Sequence, residues 1–152
     1  MVRLRRRLSF DAAMAVIFVW LLSGCAANSR TDTVMSNTNP FGWLNEESVE
    51  FENTDTLAKL DMALVLRCGS DIDTRNLPLT LTVTAPDSSR FVERRVFPVT
   101  LPEKTASTSA TVTIPYRRSV RFSQLGIYTI TMKPSHVVCG VEAAGFTFQK
   151  TY

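Results

Sequence analysis

Leu79-Thr80-Leu81-Thr82-Val83-Thr84 sets an apolar residue against a hydroxyl at every step. A period of two belongs to an extended strand, whose successive side chains point to opposite faces; β-branched Thr and Val suit a pleated, half-buried surface. The pattern recurs on both sides. Upstream, Leu60, Met62, Leu64 and Leu66 alternate with Asp61, Ala63, Val65 and Arg67. Downstream, the alternation runs through Ala110–Tyr116, Tyr128–Met132 and Phe146–Gln149, with weaker versions at Val49–Phe51 and Phe91–Val99. Cys68-Gly69-Ser70-Asp71, Ala85-Pro86-Asp87-Ser88-Ser89 and Lys133-Pro134-Ser135-His136 supply turn chemistry between the runs. No segment beyond Leu22 carries a 3.6-residue period, and no internal repeat is present. The reading predicts an all-β chain: one antiparallel β-sandwich of about seven short strands, with an open barrel as the alternative.

The N-terminus is different in kind. Arg3-Leu4-Arg5-Arg6-Arg7 precedes an apolar run, Ala12 to Leu22, and then Ser23-Gly24-Cys25. Basic, apolar and small-residue segments in this order form a secretory signal peptide. A small-residue pair followed by Cys is the layout of a bacterial lipobox, which predicts cleavage before Cys25 and lipidation of that residue. The apolar run is about eleven residues, against roughly 20 for a spanning helix. The expected organisation is a signal peptide over 1–24, a lipidated Cys25 and polar tether over 25–40, and the sandwich over 41–152. Residues 26–40 lack hydrophobic periodicity, and Phe41 and Trp43 are expected to mark where packing begins.

Cleavage changes the charge argument. The whole chain has 17 basic and 14 acidic residues. The signal carries four arginines and one aspartate, so 13 of each remain, a net charge of about zero. The basic pI of the full chain therefore belongs to the export signal and gives no support for nucleic-acid binding, which needs a concentrated positive face. About 128 residues remain, enough for one domain with a real core.

Two cysteines remain beyond Cys25. Cys68 and Cys139 each precede a glycine at the end of an apolar run. In an oxidising periplasm they can pair; closing a loop of about 70 residues is worth roughly 4 kcal/mol in the chain-entropy model. The alternative is two free thiols packed as small hydrophobes.

Catalytic chemistry finds little material. The one histidine, His136, lies in a turn beside Pro134, and no nucleophile-elbow sequence accompanies it. One histidine and two distant cysteines are a thin supply of zinc ligands. Glu46-Glu47 and Asp71…Asp73 read as solvated loop acids, and the rest of a calcium loop is missing. Glycines are too scattered for a phosphate loop. No enzyme activity, metal or cofactor is expected. The residues marked for partner binding are Arg94, Arg95, Arg117 and Arg118, with the aromatics Trp43 and Tyr116, because Arg and large aromatics are favoured at interfaces. Adjacent arginines on a strand must face opposite ways.

The order of landmarks adds a family expectation. The lipobox, Trp43, the strand at Val49–Phe51, Arg75-Asn76-Leu77-Pro78-Leu79, Ala85-Pro86-Asp87, Phe122-Ser123-Gln124-Leu125-Gly126-Ile127-Tyr128 and Gly140-Val141-Glu142-Ala143-Ala144-Gly145-Phe146 together resemble the gliding-motility lipoprotein GldH family of Bacteroidota. The family's central Gly-x-Trp segment has no counterpart between Leu101 and Ser109. The resemblance implies a β-rich envelope lipoprotein with no active site to carry over. The expected function is a non-enzymatic, lipid-anchored component or accessory of a membrane-associated assembly, with an envelope protein as partner. The alternative is a periplasmic or surface module that binds a glycan, peptide or hydrolase. Ala26 rather than Asp follows Cys25, which points to the outer membrane, and the lack of an acidic cluster there points to its periplasmic face.

Overall fold

The computed structural model describes residues 31–101 and 109–151. Residues 1–30, with the expected signal segment and Cys25, the Thr/Ser-rich stretch 102–108 and Tyr152 lie outside them.

Among the described residues eight strands run in chain order: β1 (Thr31–Asn37), β2 (Glu47–Asn53), β3 (Lys59–Gly69), β4 (Asn76–Thr84), β5 (Arg90–Pro98), β6 (Ser109–Val120), β7 (Gly126–Pro134) and β8 (Val141–Thr151). They form two antiparallel sheets of four, ordered β1-β8-β3-β6 and β2-β7-β4-β5. All seven expected strands are present, and the alternation phases correctly. Leu77, Leu79 and Leu81 of β4 face Leu64 and Leu66 of β3, Ile130 and Met132 of β7, and Phe146 and Phe148 of β8 in one core. Burying each such side chain stabilises the fold by about 1.5–3 kcal/mol. Phe51 of β2 stacks on Phe148 with ring centroids 4.0 Å apart, joining the two sheets.

The turns follow their chemistry. Between β4 and β5 the Ala85 carbonyl accepts from the Ser88 N–H at 2.9 Å, and the Asp87 carboxylate accepts from the Ser89 N–H at 2.9 Å. Between β3 and β4, by contrast, Asp71 and Ile72 press against Gly140, whose φ is +79°. A Cβ there would lie 2.4 Å from the Ile72 backbone, so only glycine fits.

Residues 31–40 correct the expected tether. Thr31–Asn37 pairs with β8 along its whole length, from Thr31 opposite Gln149 to Asn37 opposite Ala143. Thr38 N–H donates to the Glu142 carbonyl at 3.0 Å, and Gly140 N–H to the Pro40 carbonyl at 2.8 Å. The segment is ordered by backbone pairing on the edge of β8 rather than by apolar burial, so its polar composition is no obstacle. Gly145 makes the pairing possible: a Cβ on it would lie 2.0 Å from the Val34 carbonyl oxygen. Phe41, expected to begin the packing, is 87 % exposed, whereas Trp43 is 1 % exposed.

Cys68 and Cys139 are free thiols rather than a disulfide. Their strand ends are neighbours, with Gly69 N–H donating to the Gly140 carbonyl at 2.8 Å. The side chains have different surroundings, however. Cys68 is buried in the core, and the Cys139 Sγ donates to the Phe41 carbonyl at 3.3 Å.

The sandwich has two open sides. At one, β1 lies beside β2, where Ser36 Oγ donates to Glu47 at 2.8 Å. At the other, the edge strands β5 and β6 face each other. Among the described residues no helix is long and apolar enough to cross a membrane.

Candidate functional site

β5 is an edge strand, paired with β4 alone. Its alternation sends Phe91, Glu93, Arg95 and Phe97 towards β6, and Arg90, Val92, Arg94 and Val96 to the outer face. β6 contributes Tyr116, which is buried, and Arg117, which is exposed.

One carboxylate ties the two edges together. Glu93 accepts the Tyr116 hydroxyl proton on one oxygen and the Arg117 guanidinium on the other, at 2.6 Å. The Arg117 guanidinium carbon also lies 5.3 Å from the Tyr116 ring centroid and 5.4 Å from that of Phe91. Arg95 approaches the same Tyr116 ring at 6.0 Å. Each cation–π contact at such a partly exposed site contributes about 0.5–1 kcal/mol. Burial pushes the Tyr116 hydroxyl above its ordinary pKa, and the bond to Glu93 adds to the shift. The phenol therefore stays a donor at neutral pH.

Beside this cluster an open groove of about 330 Å³ runs between the sheets. Met62, Val83, Phe122 and Tyr128 form an apolar floor, with Arg117 and Arg121 at the rim. Phe91, 53 % exposed, stands on its wall. An apolar floor under arginines suits an extended segment carrying apolar and acidic side chains. A second groove, about 410 Å³, opens at the other side between β1 and β2. Its charged lining is mainly acidic, with Asp32, Glu50, Glu52 and Asp55 against Lys150.

The residues marked in the sequence separate into four groups. Arg95, Tyr116 and Arg117 come together. Arg94 lies on the opposite face of β5. Arg118 falls in an irregularity of the β3–β6 pairing, where its charge helps hold the Asp61 carboxyl below the usual range, after the Ser119 N–H and Thr151 hydrogen bonds. Trp43 is a packing residue, its indole N–H donating to the Asn45 carbonyl at 2.9 Å. Two members of the cluster were missed, Glu93 and Phe91. The available signal was strand parity: Glu93 is the sole acid of β5 and shares its side with Phe91, Arg95 and Phe97.

His136 is exposed in the turn after β7. Among the described residues no group of three or more His, Cys, Asp or Glu is placed to hold a metal ion. No family model and no curated protein matches the chain.

Proposed function

We propose that this chain is a non-enzymatic lipoprotein of the bacterial envelope, held by lipid at Cys25, whose sandwich docks a partner of a membrane-associated assembly through the β5 and β6 edge. The observation that carries the docking reading is the Glu93–Tyr116–Arg117 cluster beside an apolar groove. It fixes a cationic, aromatic surface on two strands that each have a single sheet neighbour among the described residues. Such edges accept an added strand, with backbone bonds giving affinity and side-chain pockets giving specificity.

The lipobox at Ser23-Gly24-Cys25 supports the anchoring half, and the GldH-like order of landmarks supports an envelope assembly, motility or secretion included. Lipoprotein maturation adds more than one acyl chain, as stable anchoring requires. The outer membrane, facing the periplasm, is the proposed site. Docking of a protein segment is favoured over capture of a glycan or other small ligand because the groove is open along a strand edge rather than closed around a pocket.

The test has two arms. Cys25→Ala should move the protein from the membrane to the soluble fraction, and retention would overturn the anchor. Arg117→Glu, in the lipidated chain, should abolish recovery of the envelope partner from mild detergent extracts. Undiminished recovery would overturn the docking edge.

A further inference from the structure

The two open sides of the sandwich carry opposite charge. β1 and β2 together contain Asp32, Glu47, Glu50 and Glu52 and no lysine or arginine. β5 and β6 contain Arg90, Arg94, Arg95, Arg117 and Arg118 against the one acid Glu93. By formal charge the sides stand at −4 and +4, while the mature chain is close to neutral. The imbalance is thus one of placement. The grooves repeat it, acidic at β1 and β2 and rimmed by arginine at β5 and β6.

Strand direction matches as well. β2, β7, β4 and β5 are antiparallel in succession, so β5 runs opposite to β2. β1, β8, β3 and β6 are likewise antiparallel in succession, so β6 runs opposite to β1. A second copy displaced sideways therefore brings its β2 antiparallel to β5 and its β1 antiparallel to β6. Both sheets continue from one copy into the next.

We infer that the occupant of the β5 and β6 edge is the β1 and β2 edge of another copy of this chain. This names the partner of the docking surface proposed above and rests on that reading. Setting Glu50 of the next copy opposite Arg90 also sets Ser48 opposite Val92 and Glu46 opposite Arg94. The exposed Phe91, Val92 and Val96 then lose water contact. Like-with-like pairing of two β5 strands is opposed, because it sets arginines against arginines. A head-to-tail contact of this kind does not close on itself, so it builds rows rather than dimers. Copies displaced sideways present Thr31 at the same end, which lets every copy in a row hold its anchor in one membrane.

The experiment uses the full chain in a non-ionic detergent, followed by sedimentation velocity. One variant carries Arg90→Glu and Arg94→Glu, which sets acids against Glu50 and Glu46 of the next copy. The other carries Glu46→Arg and Glu50→Arg, which sets arginines against Arg94 and Arg90 of the next copy. Wild type should associate, more weakly in about 1 M salt, where the Debye length falls to about 3 Å. Each variant alone should associate about a hundredfold more weakly, since like charges now face each other. An equimolar mixture of the two should associate again. Circular dichroism of each variant checks the fold, and the salt response of wild type does not depend on either variant folding. A mixture that stays monomeric, variants that associate like wild type, or a monomeric wild type would each overturn the inference. A wild type that stays monomeric yet binds a peptide of alternating Glu and Val, or still recovers its partner through Arg117, would overturn self-association and leave the docking edge standing.

Discussion

Glu93 of β5 and Arg117 of β6 meet at 2.6 Å across the gap between the two sheets. The same carboxylate accepts the Tyr116 hydroxyl. Arg95 of β5 also approaches the Tyr116 ring, at 6.0 Å. The cluster therefore sets the width of the open side and the position of the arginine at the groove rim.

Tyr116→Phe removes the hydroxyl and keeps the ring. It should cost about 1 kcal/mol of stability by urea unfolding, the net worth of one hydrogen bond. Glu93→Gln should cost less than about 1 kcal/mol, because the Arg117 pair is partly exposed. Glu93→Gln should weaken docking more than it weakens the fold, since Arg117 loses its fixed position.

Gly145→Ala should detach β1. The new Cβ would lie 2.0 Å from the Val34 carbonyl oxygen and 2.7 Å from the Met35 Cα. Neither is the end of a flexible side chain, so the strand must move, at a cost of about 1–3 kcal/mol. Limited proteolysis should newly cut within Thr31–Asn37, with β2 to β8 still protected.

Thiol labelling should separate the cysteines. Burial, with a smaller contribution from the Glu142 charge, pushes the Cys68 thiol to about 11, and its side chain is inaccessible. Cys139 is partly exposed, its thiol raised in the same direction. The thiolate is the reactive form. In the folded chain a maleimide should modify Cys139 well before Cys68, and Cys68 should react at a comparable rate only in denaturant. Equal rates in the native state would contradict the core position of Cys68.

Acid should act on the β4–β5 turn. Hydrogen bonds from Ser89 and Gln124 lower the Asp87 carboxyl from the ordinary 3.8 to about 2. A folded pKa below the unfolded one gives stability that is present above about pH 4 and lost as pH falls through about 2. Asp87→Asn should therefore lower the Tm at neutral pH, and the gap from wild type should close between about pH 4 and 2.

The strands whose burial is one-sided were legible in the sequence. Leu79, Leu81 and Val83 announce a face because every second residue must leave water, and the same holds for the runs of β2, β3, β6, β7 and β8; in β5 only Phe97 is buried. β1 was not legible. Its side chains are nearly all exposed, and it is ordered by backbone bonds to β8, which depend on the absence of a Cβ at Gly145, more than 100 residues away. The site was half legible. Parity separates Arg95 from Arg94, but it does not say that Arg95 and Arg117 meet over one tyrosine, since that needs the pairing of opposite sheets. Trp43 was read both as the start of packing and as a partner-binding residue; its burial and its bridge to Val138 fit the first reading.

Photo-crosslinking in the intact envelope tests the docking edge most directly. A photoreactive phenylalanine analogue replaces Phe91 at the groove wall, or Ile127 on the outer face of β7; both native side chains are 53 % exposed. The account predicts discrete protein adducts from position 91 and none of the same mass from position 127. No adduct at position 91, or the same products from both positions, would contradict it.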